Sequence, residues 1–363
     1  MNNPNYNRRI NERIRRRRRR ATVLTIFFFV IILLSLLSVF AVLQIREHLD
    51  DREENNPPDI TDQTVQTTEP ADQTTTAPIE QTTAAPETDP PAPLVTYTTV
   101  TLTRDAITQG DLILVNADLP YTFPLTEGHL TTVYGNKSRG YQLGSAQDKL
   151  DTDVLAALNT AADAFLAETG ETGLLLANNG AYRSYAAQED LYARRVAQYG
   201  EEEAAKYVAL PGVSEHHTGL AFDLALYIDG KTYALDAFDA YDWIPENFPR
   251  YGFILRYPAN KIAQTGIGYE PWHFRYVGIP HAVYMTANNL CLEEYINVLR
   301  AYQATGEHLF VESDGRRYEI WYVPFAVEAE TTSILIPDGV PYSISGNNRD
   351  GFIVTLTHNS TAQ

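Results

Sequence analysis

The stretch SEHHTGLAFDLAL, Ser214–Leu226, sets two of the chain's eight histidines side by side, then a glycine, then an aspartate inside an apolar run. The run has strand texture. It continues through YIDGKTYAL, where Asp229-Gly230 is a two-residue turn of the kind that joins hairpin strands. A carboxylate in such a strand is costly unless something compensates it, and a metal ion would do so. About fifty residues on, GYEPWHFRYVG supplies Glu270 and His273. Two histidines, one aspartate and a spare glutamate make up the inventory of a catalytic zinc site: three protein ligands, an open position for water, and an acid/base. Each piece alone also fits a hydrogen-bonded core histidine or a simple turn.

Working outward, SAQDKLDTDVLAALNTAADAFLAETG predicts an amphipathic helix, with Leu150, Val154, Leu155 and Leu158 on one face and Gly170 closing it. AAQEDLYARRVAQYG predicts a second helix ended by Gly200. The runs in GDLILVNADLPYTF, TGLLLANNGAYRS, YGFILRYP and PWHFRYVG read as strands, and PHAVYMTANNLCLEEYINVLRAYQ as a helix in two pieces. The expected class is α+β, helices flanking a small, mostly antiparallel sheet over 96–305. From 306 to 363 the chain reads as a β extension, with hairpins at Asp314-Gly315 and in VPYSISGNNRDGFIVTLT.

The front end differs in kind. Residues 1–21 form an Arg-rich tail: positions 1–20 hold nine arginines and one glutamate, +8 against −18 for the whole chain, which leaves −26 for the rest. TVLTIFFFVIILLSLLSVFAVL, 22–43, carries no charge over 22 residues. As a helix it would span about 33 Å, enough for a bilayer core of about 30 Å. Arginines before it and acids after it place the N-terminus in the cytoplasm and the remainder outside. A cleaved signal peptide ending near Val39-Phe40-Ala41 is the rival, but the run exceeds the usual signal core. Residues 44–95, rich in Thr, Pro, Gln and acids, read as a disordered spacer. The single cysteine, Cys291, excludes an internal disulfide. So acidic a remainder argues against nucleic acid as a partner.

The motif S-x-H-x-x-G-x-A-x-D, met by Ser214, His216, Gly219, Ala221 and Asp223, and EPWHFRYVG at Glu270–Gly278 together resemble the VanY-type D-alanyl-D-alanine carboxypeptidases. These are M15 zinc peptidases of the LAS-type fold. GAYRSYAAQEDLY and YGFILRYP support the likeness in the same order, and it covers roughly 110–305. The resemblance implies that His216, Asp223 and His273 bind Zn2+, that Glu270 is the catalytic base, and that Arg183 stands near the scissile carbonyl. It further implies substrate contacts from Ser214 and Gln188. His217 does not fit the motif and is expected to be no ligand. The implied activity is removal of a C-terminal D-alanine from peptidoglycan stem peptides. The alternatives are L,D-carboxypeptidase or endopeptidase action on the same peptides, or a non-catalytic wall-binding module.

Overall fold

The computed structural model describes residues 96–359 apart from positions 125, 239 and 327. The Arg-rich tail, the apolar run 22–43 and the spacer lie outside the described residues. Among the described residues no helix is long and apolar enough to cross a membrane.

In chain order the main elements are β1 (Tyr97–Thr103), β2 (Leu130–Thr132), β3 (Gln142–Leu143), β4 (Lys149–Asp151), α1 (Thr152–Thr169), β5 (Leu174–Leu176), α2 (Tyr185–Tyr199) and α3 (Glu201–Ala205). There follow β6 (Ala221–Ile228), β7 (Lys231–Ala234), β8 (Phe253–Leu255), β9 (His273–Tyr276), α4 (Ile279–Ala287), α5 (Leu292–Leu299), β10 (Leu309–Ser313), β11 (Arg316–Pro324), β12 (Thr331–Pro337), β13 (Tyr342–Gly346) and β14 (Gly351–Asn359). Short helical segments lie between them.

The central sheet runs β3-β5-β6-β9-β8, with β7 also on β6, and only the β3–β5 pair is parallel. β6 organises it. Its end Leu224–Leu226 pairs with β5, and its start Ala221–Asp223 pairs with β9, so that Asp223 faces His273 across the ladder. Strand residues alternate sides. Phe222, Leu224 and Leu226 therefore enter the core, and Asp223 emerges on the other face. That periodicity explains how an aspartate sits in an apolar run without entering the core. Asp229 and Gly230, at φ 51° and 78°, close the β6–β7 hairpin as expected.

α1 begins where the Asp151 carboxylate accepts from the amides of Asp153 and Val154, and it stops at Gly170 in the left-handed conformation. Its buried face, Val154, Leu155, Leu158, Ala161, Ala162 and Phe165, packs on the sheet residues Leu174, Leu176 and Phe274. Each large apolar side chain so buried stabilises the fold by roughly 1.5–3 kcal/mol.

The C-terminal strands form a second sheet, β10-β11-β14-β13. One face packs on α4 and α5 through Val311, Tyr318, Ile320 and Ile353 against Met285, Leu292, Ile296 and Leu299. Trp321, Phe352, Val354 and Leu356 pack with Ile334 and Ile336 of β12, which pairs with β1 as an antiparallel ribbon. Neither the ribbon nor the short β2–β4 pair was expected from the sequence.

The run Leu112–Val115 corrects another expectation. It joins no named strand, and Leu112 lies in a turn. Ile113 and Val115 enter the core around α1, whereas Leu112 and Leu114 enter the core around α4 and α5. Its backbone is satisfied piecemeal: Leu112 N–H donates to Ser345 Oγ, Leu114 N–H to Asn347 O, and Arg275 Nη2 donates to the carbonyls of Asp111 and Ile113. Alternation that mimics a strand here serves two separate cores.

Candidate metal centre and active site

A single 3-10 turn, Glu215–Thr218, stands in front of β6. Successive residues in such a turn point about 120° apart, and three adjacent polar side chains take three environments. Glu215 enters a buried cluster with Arg256 and Arg275. His216 faces a cavity, and His217 packs beneath Phe123 with a ring separation of 4.9 Å. Gly219 ends the turn at φ 74°, a conformation that favours glycine.

The structure brings His216, Asp223 and His273 together. His216 donates from Nδ1 to the carbonyl of Ala181 at 2.8 Å, which leaves the lone pair on Nε2. That Nε2 lies 3.4 Å from Asp223 Oδ1, and His273 Nδ1 lies 3.2 Å from the same oxygen. Ligand atoms on a tetrahedron with bonds of about 2.0–2.1 Å are about 3.3 Å apart. His216 Nε2 and Asp223 Oδ1 are buried and have no hydrogen-bond partner among the described residues. Orphaned, convergent nitrogen and oxygen donors at that spacing fit a zinc ion. Burial, with the Arg183 charge beside it, depresses the His216 pKa to about 4, keeping the ring neutral as a ligand must be. Burial alone would raise the pKa of Asp223, but the two histidines outweigh it and hold the carboxylate below its usual range.

Glu270 is 4% exposed, with Oε2 3.6 Å from His273 Nδ1. Burial first, partly opposed by His273 and reinforced by Asp223, raises its pKa to about 8. A cation among the three donors would lower it. Arg183 is held by Nη1 on Gln188 Oε1 at 2.8 Å and by Nη2 near Asp223 Oδ2 at 3.4 Å. Gln188 in turn donates from Nε2 to Ala209 O. Its carboxamide oxygen is engaged by the arginine it orients, and one N–H is already used. Ser214 is buried at the cavity wall. All seven residues singled out in the sequence line one cavity of about 470 Å³, which is also lined by Leu191, Arg195 and Tyr199 of α2 and by Tyr207.

His217 is 1% exposed and makes two hydrogen bonds, from Nδ1–H to Arg183 O at 2.7 Å and from Gly212 N–H to Nε2 at 3.0 Å. The second histidine of the doublet therefore fixes the backbone that carries Arg183. Sequence reading missed Glu215, Arg256, Arg275 and Glu293. The argument that flagged Asp223, a charge within a strand-like apolar run, applies equally to Arg256 in FILRYP and Arg275 in WHFRYV.

The family profile for D-alanyl-D-alanine carboxypeptidases, VanY, matches residues 151–279. A D-alanyl-D-alanine carboxypeptidase of Enterococcus faecium is 34% identical over 265 residues, 72% of this chain and 80% of the relative. A bifunctional D-Ala-D-Ala dipeptidase and carboxypeptidase of Enterococcus gallinarum is 43% identical over 122 residues, covering 32% of this chain and 64% of its own. Among solved structures, the vancomycin-resistance D,D-dipeptidase VanXYg, in complex with a D-Ala-D-Ala phosphinate analogue, superposes with a TM-score of 0.64 at 34% identity, over 72% of this chain and 100% of that one. With a homologue of that identity covered over most of its length, the chain belongs to the VanY family of D-alanyl-D-alanine carboxypeptidases.

Proposed function

We propose that the protein is a zinc D,D-carboxypeptidase of the LAS-type fold that removes the C-terminal D-alanine from uncrosslinked peptidoglycan stem peptides. In this reading it works outside the cell, tethered by 22–43 and spaced from the membrane by 44–95. The observation that carries the catalytic reading is the junction of three convergent donors, Glu270 and Arg183 in one cavity. His216 Nε2, Asp223 Oδ1 and His273 Nδ1 would hold the zinc. When bound, zinc supplies Lewis acidity and lowers the pKa of water to about 7. Glu270 accepts the proton of the attacking water and returns it to the departing D-alanine amine. Arg183 donates to the carbonyl oxygen as negative charge develops there, a role worth roughly 3–4 kcal/mol for one well-placed donor. Gln188 keeps that guanidinium aimed, and Ser214 offers a hydroxyl beside the ligand turn.

A pentapeptide ending in D-Ala–D-Ala is the test substrate. The purified chain is expected to shorten it to the tetrapeptide, and to cut the C-terminally amidated peptide at least tenfold more slowly. A site that buries donors for a terminal carboxylate leaves them partly unpaired against an amide. Equal rates on the two, release of monomers from crosslinked dimers, or cleavage only of a tetrapeptide would replace the D,D-carboxypeptidase reading with an endopeptidase or L,D-carboxypeptidase one.

A further inference from the structure

A costly feature among the described residues is not used by this mechanism. Glu215, Arg256 and Arg275 have fully buried side chains and form one ion cluster, extended by Glu293. Such clusters are weak sources of stability, because desolvation offsets much of the attraction. Their retention calls for another reason.

The hydrogen bonding is lopsided. Arg256 Nε and Arg275 Nη1 both donate to the same oxygen, Glu215 Oε1, each at 2.8 Å. The remaining donors go elsewhere: Arg256 grips Glu293 with Nη1 and Nη2 at 2.9 and 2.6 Å, and Arg275 reaches the carbonyls of Tyr276, Asp111 and Ile113. Glu293 takes its arginine with both oxygens. Glu215 holds one oxygen back. Its Oε2 is buried and has no hydrogen-bond partner among the described residues, and neither has His273 Nε2. The two stand 3.5 Å apart, at the outer limit of a hydrogen bond.

We propose that Glu215 is a positioning residue for the metal centre: clamped by Arg256 and Arg275, its free oxygen keeps the His273 proton on Nε2 and so presents the lone pair of Nδ1 to the ion. This rests on the zinc reading above. The opposite tautomer would set an imidazole lone pair against a carboxylate. Carboxylate partners of this kind orient metal-bound imidazoles and raise their basicity. His216 is oriented through its other nitrogen by a backbone carbonyl. The two histidines thus bind through different atoms, Nε2 and Nδ1, each dictated by what stands behind the ring. Tyr257, with its ring 4.8 Å from that of His273, holds the plane.

The test compares two variants of the full chain by zinc titration against a competing chelator. Glu215→Gln can turn an N–H toward His273 Nε2, which favours the tautomer that blocks Nδ1. Its zinc affinity is expected to fall 10–100-fold, and the visible spectrum of the cobalt-substituted protein is expected to change. Glu293→Gln disturbs the same arginine network without facing His273, and should keep zinc affinity within about twofold. Equal affinity in Glu215→Gln and wild type, or an equal loss in Glu293→Gln, would overturn the proposal. Should Glu215→Gln fail to fold, imidazole nitrogen NMR of the zinc-loaded wild type decides: a proton on His273 Nε2 supports it, and zinc on Nε2 overturns it. A wild type that binds no zinc removes the metal reading and this one together. Normal zinc binding without peptide cleavage removes only the proposed activity.

Discussion

The adjacent histidines His216 and His217 are chemically identical, yet they should fail in opposite ways when replaced. In His217→Ala the amide of Gly212 and the carbonyl of Arg183 lose their partners in a site that is 1% exposed. Each buried group left unpaired costs about 1–3 kcal/mol, so the pair costs roughly 3–4 kcal/mol. At about 2–4 °C per kcal/mol for a domain of this size, the melting temperature should fall by about 10 °C. The ligand atoms are untouched, so added zinc should still raise it. At a free zinc concentration one hundred times Kd the rise corresponds to about 2.7 kcal/mol, or roughly 5–11 °C. In His216→Ala one of three donors is gone, and the zinc-induced rise should vanish. The assay is thermal unfolding of wild type and both variants in chelator and in buffered zinc, with bound metal measured on the same samples. A zinc-induced rise that persists in His216→Ala and disappears in His217→Ala would refute the assignment of the pair.

Glu270→Gln keeps the size and hydrogen bonding of the side chain but cannot take up a proton. It should bind zinc as wild type does and lose about 10²-fold or more in kcat, and a metal-free variant would make Glu270 a ligand. His281 tests the join between α4, α5 and β14. Its ring is buried between the Tyr295 hydroxyl at 2.7 Å and Thr355 Oγ1 at 3.1 Å, and burial depresses its pKa to about 3. The unfolded chain, with a histidine pKa of about 6.5, takes up a proton that the folded state refuses. Stability is therefore complete above pH 6.5 and is lost as pH falls towards 3, by about 2 kcal/mol at pH 5. His281→Gln should remove that part of the fall in melting temperature between pH 7 and pH 5, and an unchanged slope would show that the ring titrates normally.

What the sequence determined by itself is what short-range chemistry decides. The turns at Asp229-Gly230 and Asp314-Gly315 were legible because positive φ is confined to few residue types. α1 was legible from Val154, Leu155, Leu158 and its closing glycine, and α2 from its closing glycine. Leu150, read onto the same face as those of α1, belongs instead to β4, because Asp151 caps the helix after it. The candidate set His216, Asp223, Glu270 and His273 was legible because costly residues stood in unusual company at two short motifs, and the family resemblance of those motifs supplied the expected roles. The tertiary structure alone decided that Asp223 lies opposite His273, since a ladder register between distant strands is set by which faces become buried. It alone divided Leu112–Val115 between two cores, because strand-like alternation is the same whether the two sides meet water, a sheet or a second core. And it alone assembled Glu215 with Arg256, Arg275 and Glu293. No local rule links four charges scattered over the chain; only the loss of water around them makes each depend on the others.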